Sequence, residues 1–243
     1  MAYTLNQTIL WSQSVLGTYI PLTAQTGNEP ATTIANMVVV FVNSPPFTWP
    51  TNRNEDTTLT TVAGQSDYPL TIGDFGFLEK LSLIDAGGKY WDVARIYNTT
   101  ALNKNTDQTK RPDSVSVNLL TPGTSVTLRF PSMDAVYTNC ITTYQKAPVL
   151  FTATSQDWFT QANLPQSQMH IYNNLFLGEA LQVDGDDQSA AIYRRRGMAA
   201  LLATAEGLTE MQKSMIFAQA MFSDLQTIAA NLRTQTAAQA RAI

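Results

Sequence analysis

The residues able to do chemistry are few, and their spacing limits what that chemistry is. His170 is the only histidine and Cys140 the only cysteine. A Ser-His-Asp or Cys-His nucleophile would have to use His170. That residue lies between Met169 and Ile171 in a stretch of helical periodicity, and the chain has no glycine-elbow serine. It reads as a structural or surface histidine. One histidine and one cysteine cannot furnish an ordinary zinc site either. Cys140 falls in a run of strand character and reads as a small buried apolar residue. Asp184-Gly185-Asp186-Asp187 offers carboxylates for calcium, but it lacks the alternating ligands and the closing glutamate of an EF-hand loop. A polar connection between two helices is expected there. Asp74, Glu79 and Asp85 are the carboxylates from which a glycosidase pair might be drawn. Asp85 fits a tight turn and Glu79 an exposed strand position. The one basic cluster is Arg194-Arg195-Arg196. Three consecutive helical side chains point in three directions, which suits a salt-bridged or solvated face more than a phosphate clamp. P-loop and Gly-x-Gly-x-x-Gly patterns are missing from the sequence. The expectation is a protein without catalytic, metal-binding or cofactor-binding residues, and so not an enzyme.

The elements around these residues fall into three blocks. Leu5, Ile9, Leu10, Val15, Leu16 and Tyr19 give residues 5–20 a roughly helical spacing that Pro21 closes. Ile34, Met37, Val38, Phe41 and Val42 form an apolar stripe that predicts a helix over 31–43, ended by Pro45-Pro46. From 57 to 150 the texture is that of strands. The first is expected at Thr57–Val62, followed by a short run at Tyr68-Pro69-Leu70 and a longer one over Phe75–Ile84. Asp85-Ala86-Gly87-Gly88 turns the chain into Tyr90–Ile96, a hairpin partner. A polar loop is expected over 98–113. The alternating runs Val115–Leu119 and Val126–Phe130 flank Pro122-Gly123 as a second hairpin. A last strand is expected over Val136–Tyr144.

After residue 155 the helical period returns. A short capped helix is expected at Ser155–Phe159, then helices over Gln168–Leu181 and Gln188–Ala205, broken at Gly185-Asp186-Asp187. Thr209 and Gln212 form a capping box for a final helix. In that helix Met211, Met215, Ala218, Phe222, Leu225, Ala229 and Leu232 alternate spacings of four and three, the seam of a helix packed lengthwise against others. Ordinary core packing within a bundle is the expected use of it. The polar tail after Arg233 either stays disordered or docks on a partner. The expected fold is α+β: a helical bundle from both chain ends (1–50 and 151–243), with an inserted antiparallel, sandwich-like β-domain (51–150).

Composition bears on partners. The chain has 243 residues, of which 44% are hydrophobic and only 14% charged, against roughly 25% in an ordinary soluble domain. Thr, Gln, Asn and Ser take up the difference. A surface so short of ionised groups fits one largely covered by copies of itself. The net charge of −4 disfavours a dedicated nucleic-acid binder. The lone cysteine rules out an intramolecular disulfide. The N-terminus has no secretory signal pattern, and no apolar run approaches the ~20 residues that span a bilayer. The Asn-x-Thr patterns at Asn6 and Asn98 therefore read as chance.

The segment Thr61-Val62-Ala63-Gly64-Gln65-Ser66-Asp67-Tyr68-Pro69-Leu70 resembles a T-x-A-G-Q-x-x-Y-x-L pattern of head-to-tail adaptor, or neck, proteins of tailed bacteriophages. Asn43-Ser44-Pro45-Pro46-Phe47-Thr48-Trp49 resembles the exit from their second helix. Phe77-Leu78-Glu79-Lys80 leading to Asp85-Ala86-Gly87-Gly88-Lys89, and Arg111-Pro112, are similar to their next strands. Pro131–Tyr137 followed by Thr143-Tyr144-Gln145-Lys146-Ala147-Pro148 resembles their exit strand, so the likeness spans about residues 34–150. It implies a virion structural protein made in the host cytoplasm and assembled as a homo-oligomeric ring, commonly a dodecamer. The ring would join the portal protein to the next tail or nozzle protein and let DNA through its channel without specific binding or membrane contact. The C-terminal tail would thread along the portal, with Arg233, Gln235, Gln239, Arg241 and Ile243 as docking residues. Two other readings stand beside it. One is a different virion subunit, from the tail tube or head decoration. The other is a glycan-binding or glycan-cleaving tail module that uses Trp49, Trp91 and Trp158 as stacking platforms.

Overall fold

The computed structural model of the chain describes residues 3–17, 30–95, 111–121, 125–131, 133–138, 140–163 and 166–221. It divides into two compact units, Thr48–Ala147 and the pairing of Met1–Phe47 with Pro148–Ile243.

The first of these units is a sheet. Its strands are β1 (Arg53–Leu59), β2 (Asp67–Leu70), β3 (Phe75–Ile84), β4 (Tyr90–Arg95), β5 (Ser114–Thr121), β6 (Ser125–Arg129) and β7 (Cys140–Lys146). They hydrogen-bond in the order β1-β7-β3-β4-β5-β6-β2. Two turns make the local pairs. Asp85 closes the β3–β4 hairpin, with Ile84 opposite Tyr90 and Leu81 opposite Val93. β5 and β6 pair antiparallel, Thr121 facing Ser125. The β4–β5 pair is parallel, Ala94 opposite Ser114. Parallel neighbours need a crossover of a dozen or more residues, and residues 96–113 supply that length. Leu78, Leu81, Leu83, Val126 and Leu128 are fully buried, and Cys140 joins them in the core.

The segment 61–70 is braced on itself. The Tyr68 hydroxyl donates to the Val62 carbonyl at 2.8 Å and accepts the Val62 N–H at 3.0 Å. Buried Thr61 accepts the Tyr137 N–H on its hydroxyl at 2.8 Å. Gly64 takes φ +81, which a side chain would resist. Thr61, Gly64 and Tyr68 of the quoted pattern therefore hold a turn in shape.

The other unit is helical. α1 (Leu5–Leu16) starts on a Thr4–Gln7 capping box and stops at left-handed Gly17, short of Pro21. α2 (Pro30–Val42) buries Ala31, Ile34, Ala35, Val38, Val39 and Val42. In α3 (Trp158–Ala162) the cap is Asp157, whose carboxylate accepts the N–H groups of Phe159 and Thr160. α4 (Met169–Asp184) ends at Gly185, φ +89, and Asp186 caps α5 (Asp187–Thr204) by accepting the Ser189 N–H at 3.0 Å. The Gly185-Asp186-Asp187 break is thus the joint of a helical hairpin. α4 and α5 are the main packed pair, brought close by glycines. A Cβ on Gly197 would sit 2.8 Å from the Leu175 side chain. A further helix is described over residues 210–221, opened by the Thr209–Gln212 capping box, in which the Thr209 N–H donates to Gln212 Oε1 at 2.9 Å.

This architecture corrects the expected one. The strands are central in the chain and form a single curled, mixed sheet, a half-barrel, where an antiparallel sandwich was expected. The helices lie mostly in the C-terminal half and do not make a bundle drawn from both ends. Periodicity reports which face of an element is apolar; it does not report the neighbour on which that face comes to rest.

Candidate functional site

Asp74, Glu79 and Asp85 are not assembled into a pair. Glu79 is gripped by Arg53, with Nε to Oε2 at 3.0 Å and Nη2 to Oε1 at 2.5 Å, and accepts Gln145 Nε2 at 2.7 Å. Asp74 accepts the Tyr144 hydroxyl at 2.7 Å. Tyr144 and Gln145 are successive residues of β7 and point to opposite faces, so Asp74 and Glu79 are engaged on opposite sides of the sheet. Asp85 lies beyond the other end of the ten-residue β3 from Asp74. That separates them by roughly 30 Å, against less than about 10 Å for glycosidase carboxylates. Asp85 accepts the N–H groups of Gly87 and Lys89, both at 2.9 Å, and the Trp91 indole N–H at 3.3 Å. The Lys89 N–H foremost, then the indole, hold its carboxyl below the usual carboxylate range. These acids shape turns and strand edges.

The other candidates are likewise accounted for. His170 is exposed. Cys140 is buried, and burial pushes its thiol up, away from reactivity. Among the described residues, no group of three or more His, Cys, Asp or Glu side chains is placed to hold a metal ion. Arg194 makes a two-pronged pair with Glu179, at 3.0 and 2.9 Å, and also reaches Gln182. Arg195 Nε lies 3.0 Å from Met221 Sδ, and the Arg196 guanidinium stands 5.4 Å from the Tyr193 ring centre. The three arginines do diverge. Trp49 and Trp158, at 1% and 2% exposure, cannot serve as stacking platforms for a sugar. Trp91 is partly covered by Lys89 and Arg111, at 4.2 and 3.7 Å from its ring. The docking residues assigned to the tail, Arg233, Gln235, Gln239, Arg241 and Ile243, lie outside the described residues.

What the helical unit offers instead is uncovered apolar surface without charge. Residues 1–47 contain one ionised side chain, Glu29, and residues 148–156 contain none. On this stretch Leu10, Val15, Met37, Val40, Phe41, Val149 and Leu150 are all exposed. Met37, Val38, Phe41, Leu175, Met198 and Met221 line a groove of about 310 Å³, with the Glu179–Arg194 pair also in its wall. A shallower depression adjoins it along Met37, Val40, Phe41 and Leu150. The seam read from sequence is also uncovered where it is described: Met211 is 75% and Met215 63% exposed. Its continuation through Phe222, Leu225, Ala229 and Leu232 lies outside the described residues.

No protein-family model and no curated protein matches the chain.

No helix among the described residues is long and apolar enough to cross a membrane. Sequence reasoning assigned the Met211–Met215 spacing to the chain's own core and missed the groove. The signal available for both was the near-absence of charge from the first 47 residues, which no water-facing helix pair needs.

Proposed function

We propose that this chain is a structural subunit of a tailed-phage neck: a ring of copies that joins the portal to the tail and leaves a channel for DNA. The observation that carries the reading is the uncharged, exposed apolar surface of the helical unit, from Leu10 and Val15 to Met37, Val40, Phe41 and Leu150. Contiguous apolar surface of this kind marks contact with another macromolecule, since water-facing helices normally carry charge. A subunit with neighbours on both flanks covers such surface permanently. The order of motifs over residues 34–150, and the structural use of the carboxylates, agree with a scaffold that does no chemistry of its own. The chain's net charge of −4, multiplied around a ring, would keep DNA sliding and unbound.

The test is electron microscopy of the purified chain with and without its portal protein. Rings of about twelve copies on the narrow end of the portal are expected. A chain that stays monomeric at high concentration and ignores the portal would overturn the reading.

A further inference from the structure

Building on that ring reading, we infer that the contact between neighbouring copies is heterologous and lies in the helical unit. The Met211–Met215 ridge of one copy seats in the α2 groove of the next. Each half is visible in a single chain. The groove is concave and apolar, with Met37 56% and Phe41 40% exposed at its mouth, and α2 contributes no charged side chain. The ridge is convex: Met211, Met215 and Ala218 are all exposed, at the i, i+4, i+7 spacing that puts them on one stripe. A chain's own ridge is poorly placed for its own groove. Met221 already forms part of the groove wall, and Met211 lies ten residues, about 15 Å, back along the same helix.

Charge selects a second copy as the occupant. Beside the groove stand the exposed side chains of Arg195, which touches groove-lining Met221, and Arg196. Beside the ridge stand the exposed side chains of Glu206 and Glu210. A copy offering its ridge therefore brings two acids toward two bases. The same chain carries both unlike faces, so each copy can bind one neighbour on either flank, which is how a head-to-tail ring closes.

The test uses the full chain in sedimentation velocity over a concentration series, with circular dichroism and a thermal melt on each variant. M37E blocks the groove and M215E the ridge. Both positions are exposed, and M37Q and M215Q serve as milder replacements if either acidic variant melts early. Each variant alone is expected to raise the concentration for half-assembly about thirtyfold or more. An equimolar mixture is expected to give one-to-one dimers and nothing larger, because only one intact groove and one intact ridge remain per pair. E206K/E210K is expected to weaken assembly, and mixing it with R195E/R196E to recover part of the loss. Wild-type-like assembly by both Met variants would overturn the interface while leaving the ring standing. So would a mixture that stays monomeric, or variants that assemble normally but lose the portal, since the groove would then hold a portal segment. A wild-type chain that never self-associates would sink the interface and the ring together.

Discussion

The indole N–H of Trp158 donates to the hydroxyl oxygen of Thr8 at 2.9 Å, joining residues 150 positions apart. Thr8 passes its own proton to Asn173 Oδ1 at 3.0 Å, and Asn173 also exchanges hydrogen bonds with the Tyr3 hydroxyl. Trp158 meanwhile stacks on Tyr172, ring centres 4.6 Å apart. One small hydroxyl thus ties α1, α3 and α4 together inside the core, where unpaired polar groups are costly.

Thr8→Val keeps the shape and removes the hydroxyl, leaving the buried indole N–H and one Asn173 contact without their partner. Chemical denaturation should show a loss of about 1–3 kcal/mol. Thr8→Ser, which keeps the hydroxyl, should recover most of it.

Gly76 marks the tightest approach in the sheet. A Cβ there would lie 2.8 Å from the Gln145 carbonyl oxygen and 2.9 Å from the Ala147 nitrogen, both backbone atoms that cannot swing aside. Gly76→Ala should cost about 1–3 kcal/mol, read as a fall in the denaturation midpoint of the sheet. Gly64, whose Cβ direction is open, should tolerate Ala sterically and lose stability only through its φ of +81.

Asp67 sits in a two-pronged pair with Arg129, at 2.7 and 2.6 Å, at the β2–β6 edge. The Arg129 hydrogen bond holds its carboxyl below the ordinary value of 3.8. A depressed folded-state pKa contributes stability above the unfolded value, which is lost as pH falls through the folded one. Asp67→Asn should therefore flatten the stability profile below about pH 4 while costing only about 0.2–1 kcal/mol at neutrality, since the pair is partly solvated. Urea midpoints at several acid pH values would read this.

At the alkaline end, burial first, then the Asp74 carboxylate that accepts its proton, push Tyr144 up to about 12. A raised folded-state pKa gives stability that is complete below the unfolded value near 10 and fades as pH climbs through 12. Native protein should show a late tyrosinate absorbance step that Tyr144→Phe deletes. The same variant should lose the alkaline fall in stability attributable to this residue.

Much of the local structure was legible in sequence. β3 runs over Phe75–Ile84 as its alternation predicts, and Asp85-Ala86-Gly87-Gly88 turns it into β4, because pleat period and turn chemistry are properties of a few adjacent residues. The capping box at Thr209 is formed for the same reason. Boundaries moved where a neighbour intervened. β1 begins at Arg53, four residues before the β-branched run, because Arg53 and Asn54 pair with Gln145 and Tyr144. β7 begins at Cys140 and not near Val136, because Tyr137 is drawn into backbone exchange with Thr61.

By itself, then, the sequence determined which stretches are helix and which strand, where several of them stop, and that the first 47 residues face something other than water. Only the tertiary structure decided that β4 and β5 run parallel, that one curled sheet replaces a sandwich, that Asp74 and Asp85 stand at opposite ends of a strand, and that Met211 and Met215 are left uncovered. Local pattern fixes the face an element must bury. Which partner covers that face depends on contacts between residues far apart in the chain, and no window of sequence contains both sides of such a contact.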